Sequence, residues 1–196
     1  MAYDSQVAVS SPTQRLPSME RRLAAILAAD VVGYGRLMGD DEAGTLAALK
    51  GRRKQLLEPL VAKHRGRIFK SMGDGVLIEF GSAVNAVECA VALQSGMAEA
   101  NGALPADKRI ELRIGINLGD VVVEGHDLFG DGVNVAARLQ EVAAPGGICA
   151  AASVRDQVWT KVAVGFDHQG ERQLKNIAAP VRVYRIEASS SAAAPL

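Results

Sequence analysis

Cysteine and histidine are scarce in this chain, with two of the first and three of the second among 196 residues. Cys89 and Cys149 sit inside apolar runs at no metal-ligand spacing, so both are expected to be buried, reduced, small hydrophobes. His64, His126 and His168 stand singly, which argues against a zinc-type ligand pattern. An excess of charge of either sign is also missing, since 22 basic residues balance 22 acidic ones. General binding to nucleic acid or to an anionic membrane is therefore not expected, and any polyanion must be met by a local group of cations. No run reaches the roughly 18 apolar residues of a membrane span, so no membrane insertion is expected. The opening MAYDSQVAVSSPTQRLPSM lacks both the basic start and the apolar centre of a secretory signal. The expected organisation is a flexible leader (1–19), one cytoplasmic domain (20–187) and a loose tail (188–196).

What is present is a clear alternation of patterns. LAAILAADVV (23–32) is a continuous apolar run broken by Gly33, which predicts a buried strand. From Asp40 to about His64, Leu46, Leu49, Leu56, Leu57, Leu60 and Val61 recur at helical spacing. RIFKSM (67–72) and VLIEF (76–80) flank Gly73-Asp74-Gly75 and predict a hairpin. Ser82 offers an N-cap to a second helix. IELRIGINLGDVVVEG (110–125) predicts a strand pair turning at Leu118-Gly119. A third helix opens at GDGVNVAARLQEVA and stops at Pro145-Gly146-Gly147. A short strand, a short helix and a closing strand pair complete the chain. The order predicts an α+β fold: a ferredoxin-like βαββαβ core with additional C-terminal strands and helices on one face of the sheet.

Three places in this pattern carry chemistry. Asp30 ends an otherwise apolar strand, and Asp74 occupies the tip of a hairpin able to pair beside it. Two carboxylates on adjacent strand ends, among glycines that permit close approach, suit Mg²⁺ or Mn²⁺, which prefer oxygen ligands. The loop VVGYGRL after Asp30 offers backbone N–H groups to a phosphate; its glycines lack the spacing of a dinucleotide fingerprint. Asn134 and Arg138 are four residues apart and share a helix face, where an amide and a guanidinium can orient a ribose and neutralise developing negative charge. Gly-Asp-Gly occurs twice, and Asp131 in the second copy reads as helix-start chemistry.

ILAADVVGYGRLM, GRIFKSMGDGVLIEF, LRIGINLGDVV and DLFGDGVNVAARL, in this order, resemble the class III nucleotidyl cyclase catalytic domain over residues 22 to 187. The resemblance implies an adenylate cyclase converting ATP to 3′,5′-cyclic AMP and pyrophosphate, with two Mg²⁺ or Mn²⁺ ions per site. It implies Asp30, Val31 and Asp74 at the metals, and Lys70 with Asp127 as the pair that selects adenine. It further implies Asn134 on the ribose, Arg138 at the transition state, and Arg113, Lys175, Gly33 and Tyr34 around the phosphates. One departure is Gly35, where the family usually has Ser or Thr. The adenine assignment has a chemical check: Lys only donates and ionised Asp only accepts, matching the N1 acceptor and N6 donor of adenine. Guanine presents the reverse edge, so ATP is favoured over GTP. In the family the site forms between two domains, which implies a homodimer with two sites at its interface. A catalytically weak nucleotide-binding module and a guanylate cyclase are the alternatives.

Overall fold

The computed structural model describes residues 20–188. The expected leader and nearly all of the expected tail lie outside them. Strand β1 (Glu20–Val31) is the axis of the sheet. Its side chains alternate between two faces, and both are apolar: Ala25, Leu27, Ala29 and Val31 on one, Ala24, Ile26 and Ala28 on the other, all buried. Helical turns follow in α1 (Tyr34–Asp40), α2 (Glu42–Arg52) and α3 (Glu58–Lys63), the last two joined by a wider π turn at Arg53–Leu57. The helical region thus starts earlier than the spacing predicts, and Asp41 interrupts it by accepting a bond from Gly44 N at 2.9 Å as cap of α2.

The hairpin β2 (Gly66–Met72) and β3 (Gly75–Phe80) then leads through α4 (Ala83–Asn101) to β4 (Leu112–Glu124). These four strands stand in the order β2-β3-β1-β4 with every neighbour antiparallel, which is the expected ferredoxin-like core. Short β5 (Asp127–Phe129) pairs with the end of β4, and α5 (Asp131–Val142) follows. Then β6 (Ile148–Ala151), α6 (Ala152–Val158), β7 (Val164–Arg172) and β8 (Val181–Ala188) extend the sheet as β4-β6-β8-β7. Ser82 occupies the N-cap position of α4 without a side-chain cap bond. Both cysteines are buried and free, and burial pushes the Cys89 thiol up to about 12. Among the described residues no helix is long and apolar enough to cross a membrane.

Two expectations are corrected. Residues 110–125 do not form a strand pair: β4 is one strand of 13 residues, running opposite β1 from Glu20↔Val123 to Val31↔Leu112. Gly119 serves as a gap beneath a helix instead of a turn, since a Cβ there would come 3.2 Å from Gly132 Cα. Helices also cover both faces of the sheet. α4 and α6 pack on the Leu27 side, and α5 packs on the Ile26 side through Val133 and Ala136. A strand apolar on both faces requires two covers, one for each set of side chains. The α5 cover is close: a Cβ at Gly115 would lie 2.2 Å from the Ala136 carbonyl oxygen.

Candidate active site

Asp30 continues the Ala24–Ile26–Ala28 alternation, so its carboxylate emerges on the face that α5 covers. The hairpin turn, where Gly73 takes φ 59°, brings Asp74 within hydrogen-bond reach of Asp30. Burial first, and then the Asp74 charge and the shared hydrogen bond, raise Asp30 to about 6. The Val31 N–H and the guanidinium of Arg113, directly opposite on β4, pull the other way. Gly75 closes the floor, where a Cβ would stand 3.2 Å from Asp30 Oδ1. Arg113 keeps a buried Nε with no hydrogen-bond partner. Two carboxylates within hydrogen-bond reach, with Asp30 raised by burial and by the Asp74 charge, fit a hard divalent cation, which would offset their repulsion. Among the described residues no three His, Cys, Asp or Glu side chains converge, so backbone oxygen, water or substrate would complete the shell. The Val31 isopropyl group is buried in the core, which leaves its backbone carbonyl as the oxygen it can offer.

Lys70 reaches the same face through an irregularity. β2 pairs Ile68 with Ile78 and then Lys70 with Leu77, so Phe69 is the extra residue of a β-bulge. In a regular ladder Phe69 would pair with Leu77 and Lys70 with Val76, and Lys70 would point to the opposite face. With the bulge, Lys70 joins Phe69 and Leu77 on the α5 side. Its Nζ stands 3.9 Å from Asp127 Oδ2 and 5.4 Å from the centre of the Phe129 ring. Asp127 and Phe129 are alternate residues of β5 and therefore share a side.

On α5, Asn134 is exposed and Arg138 half-buried. Arg138 Nε donates to the Lys175 carbonyl oxygen at 3.1 Å, and its Nη1 donates to Glu141. The Arg138 guanidinium is thereby held against the Lys175 loop, and the Lys175 side chain is exposed. Asp131 is the first residue of α5, behind Gly130 as N-cap, and makes no side-chain cap bond. It contributes negative charge at the positive end of the helix.

Gly33 is the N-cap of α1 at φ 65°, and its carbonyl accepts from Arg36 N and Leu37 N. The Tyr34 ring packs against the core, so its contact with a phosphate would be through the backbone. At Gly35 a Cβ would meet nothing within 4 Å.

The residues singled out in the sequence thus form three groups: Asp30 with Asp74 and Arg113, Lys70 with Asp127, and Arg138 with the Lys175 backbone. Among the described residues no hydrogen bond or ion pair joins one group to another. Sequence reasoning missed the bulge at Phe69, the Phe129 ring beside Lys70, and the buried Asn117 under α5. Only Asn117 left a trace, as a polar residue inside the apolar run RIGINL.

Residues 17–188 match the adenylate and guanylate cyclase catalytic domain family. A Rhizobium meliloti (strain 1021) protein named "Putative adenylate cyclase 3" is 56% identical over 167 residues, covering 85% of this chain and 28% of that protein. A Streptomyces coelicolor adenylate cyclase is 38% identical over 125 residues, covering 64% of this chain and 31% of its own length. The chain spans less than a third of the length of these curated relatives. Among solved structures, an adenylate/guanylate cyclase/hydrolase from Silicibacter pomeroyi superposes with a TM-score of 0.81 at 43% identity, covering 86% of this chain and 98% of that one. An adenylyl cyclase of P. aeruginosa shares the fold with a TM-score of 0.78 at 23% identity, over 89% of this chain and 98% of its own. With its ferredoxin-like core, its touching aspartates and a family match that spans the described residues, this chain belongs to the adenylate and guanylate cyclase catalytic domain family.

Proposed function

We propose that this chain converts ATP to 3′,5′-cyclic AMP and pyrophosphate, at two sites shared across a twofold homodimer. The observation that carries adenine over guanine is the Lys70–Asp127 pair, a lone donor beside a lone acceptor. Lys70 would meet N1 of adenine and Asp127 its N6 amine; the edge of guanine would leave both unpaired. Asp30 and Asp74, with the Val31 carbonyl, would hold Mg²⁺ or Mn²⁺. Those ions, when bound, supply a lowered pKa for the 3′-hydroxyl and charge neutralisation on the triphosphate. Asn134 would fix the ribose, and Arg138 would stabilise charge gathering on the transferring phosphorus. Arg113, with a donor to spare, and Lys175 would bind the phosphates, with the Gly33–Tyr34 backbone beside them.

The separation of the residues into three groups supports a shared site. In that reading Asp30 and Asp74 of one protomer face Lys70, Asp127, Asn134 and Arg138 of its partner, and twofold symmetry makes two such sites. Chromatography of the products from ATP and from GTP, each with Mg²⁺ and with Mn²⁺, tests the function. Cyclic AMP from ATP, in large excess over cyclic GMP from GTP, is the expected result. Absence of any cyclic nucleotide from a folded dimer with Mn²⁺ would leave a nucleotide-binding module, and a preference for GTP would make it a guanylate cyclase.

A further inference from the structure

Asn117 is one of three buried polar or charged residues among those described, at 7% exposure in the middle of β4. Its Nδ2 donates to the Gly132 carbonyl oxygen at 3.1 Å, and its Oδ1 accepts from Ser153 Oγ at 3.3 Å. Ser153 Oγ in turn accepts from the Leu118 N–H at 3.4 Å, beyond the point where β6 stops pairing with β4. A single carboxamide therefore ties three elements: β4, the first turn of α5 and the first turn of α6. The space around it is made by glycine, since a Cβ at Gly119 would stand 3.1 Å from the amide nitrogen. Gly132 is packed just as closely, with a Cβ there 2.6 Å from the Asp120 carbonyl oxygen. A buried amide with both ends bonded fixes relative position more sharply than apolar contact does, because misalignment leaves it unpaired.

Gly132 lies two residues before Asn134 and six before Arg138, on one continuous helix. We propose that Asn117 is a positioning residue for the cyclisation: it pins the start of α5 to β4 and so sets where Asn134 and Arg138 meet the nucleotide. The inference rests on the adenylate cyclase reading above. Asn117 itself touches no substrate. Its loss should reach the reaction through α5, whereas Lys70 and Asp127, on β2 and β5, keep their places.

The test uses the full chain with Mn²⁺ and ATP. Asn117→Ala is expected to lower kcat by about tenfold or more, since a displacement near an ångström is enough for that. KM for ATP should stay within about twofold, because base binding is untouched. Asn117→Ala combined with Asn134→Ala should lose clearly less than the product of the two single losses, since part of the Asn117 effect runs through Asn134 and the rest through Arg138. Hydrogen exchange at the backbone amides of residues 133–136 should quicken in Asn117→Ala, a readout independent of activity. Wild-type kcat in a folded Asn117→Ala dimer, or a double-variant loss equal to the product of the single losses, overturns the proposal. Should Asn117→Ala fail to fold, Asn117→Leu, close in volume but without the bond to the Gly132 carbonyl, takes its place; unchanged kcat and unchanged exchange there would also overturn it. A wild type that makes no cyclic nucleotide defeats the cyclase reading, and the exchange measurement still decides whether Asn117 pins α5.

Discussion

Lys70 Nζ lies 3.9 Å from Asp127 Oδ2, though the two residues belong to different strands and are separated in sequence by β3, α4 and β4. The bulge at Phe69 turns Lys70 toward Asp127, and the short pairing of β5 with β4 carries Asp127 to it. Replacing both residues tests what the pair does. Lys70→Glu with Asp127→Cys should lower the ATP-to-GTP preference, measured as the ratio of kcat/KM values, by about tenfold or more. An unchanged ratio would remove the base-recognition argument.

The proposed sharing of sites across a homodimer makes a second prediction. Asp30→Ala and Arg138→Ala should each be inactive, since every site in either homodimer lacks one essential group. Mixed in equal amounts with free exchange of subunits, half of the dimers carry one intact site of two. Activity should return to about a quarter of wild type by that count. Two folded, exchanging variants that stay silent together would count against sharing.

The raised Asp30 gives a pH prediction for stability without divalent cations. The carboxyl goes from 3.8 to about 6 on folding, so the folded state prefers the protonated form. The contribution is fully present below about pH 4 and is lost as pH rises through about 6. Asp30→Asn, neutral at every pH, should therefore melt higher than wild type at pH 7.5 in EDTA, by a few degrees at most at a site open to solvent screening. The difference should vanish near pH 4. Equal melting temperatures at pH 7.5 would show that neither burial nor the Asp74 charge penalises the ionised Asp30.

Gly35 supplies a fourth. The position lies inside α1 with open space where a Cβ would go. Gly35→Ser should fold normally and gain roughly 0.5 kcal/mol from reduced backbone freedom in the unfolded chain. If the hydroxyl reaches the phosphates, KM for ATP should fall by about two- to fivefold as well, read from initial rates. A gain in melting temperature with KM unchanged would make the position a matter of helix stability only.

Much of the candidate site is legible in the order of residues and in the resemblance it carries. Asp30 stands out as a carboxylate at the end of an apolar run, and Asp74 because glycines on both sides mark a turn. Helical spacing puts Asn134 and Arg138 on one face, their roles come only from the resemblance to the family, and the ferredoxin-like order follows from the succession of patterns. The two corrected expectations share a cause. Leu118-Gly119 looks like a turn only while nothing is known to press on β4; the glycine is there for the helix that does. Helices are expected on one face because the periodicity of a helix records that it has an apolar side, not which face of a sheet receives it.

Local rules of backbone period suffice to say which residues carry charge, in what order most strands and helices follow, and which pairs within one element share a side. That much belongs to the sequence. Which faces meet belongs to the folded chain. A one-residue bulge at Phe69 sends Lys70 to the side of α5, and pairing across strands sets Arg113 opposite Asp30. A buried amide at Asn117 ties α5 to the strand beneath it. Register and long-range contact arise from packing between distant segments, and no local pattern along the chain records them.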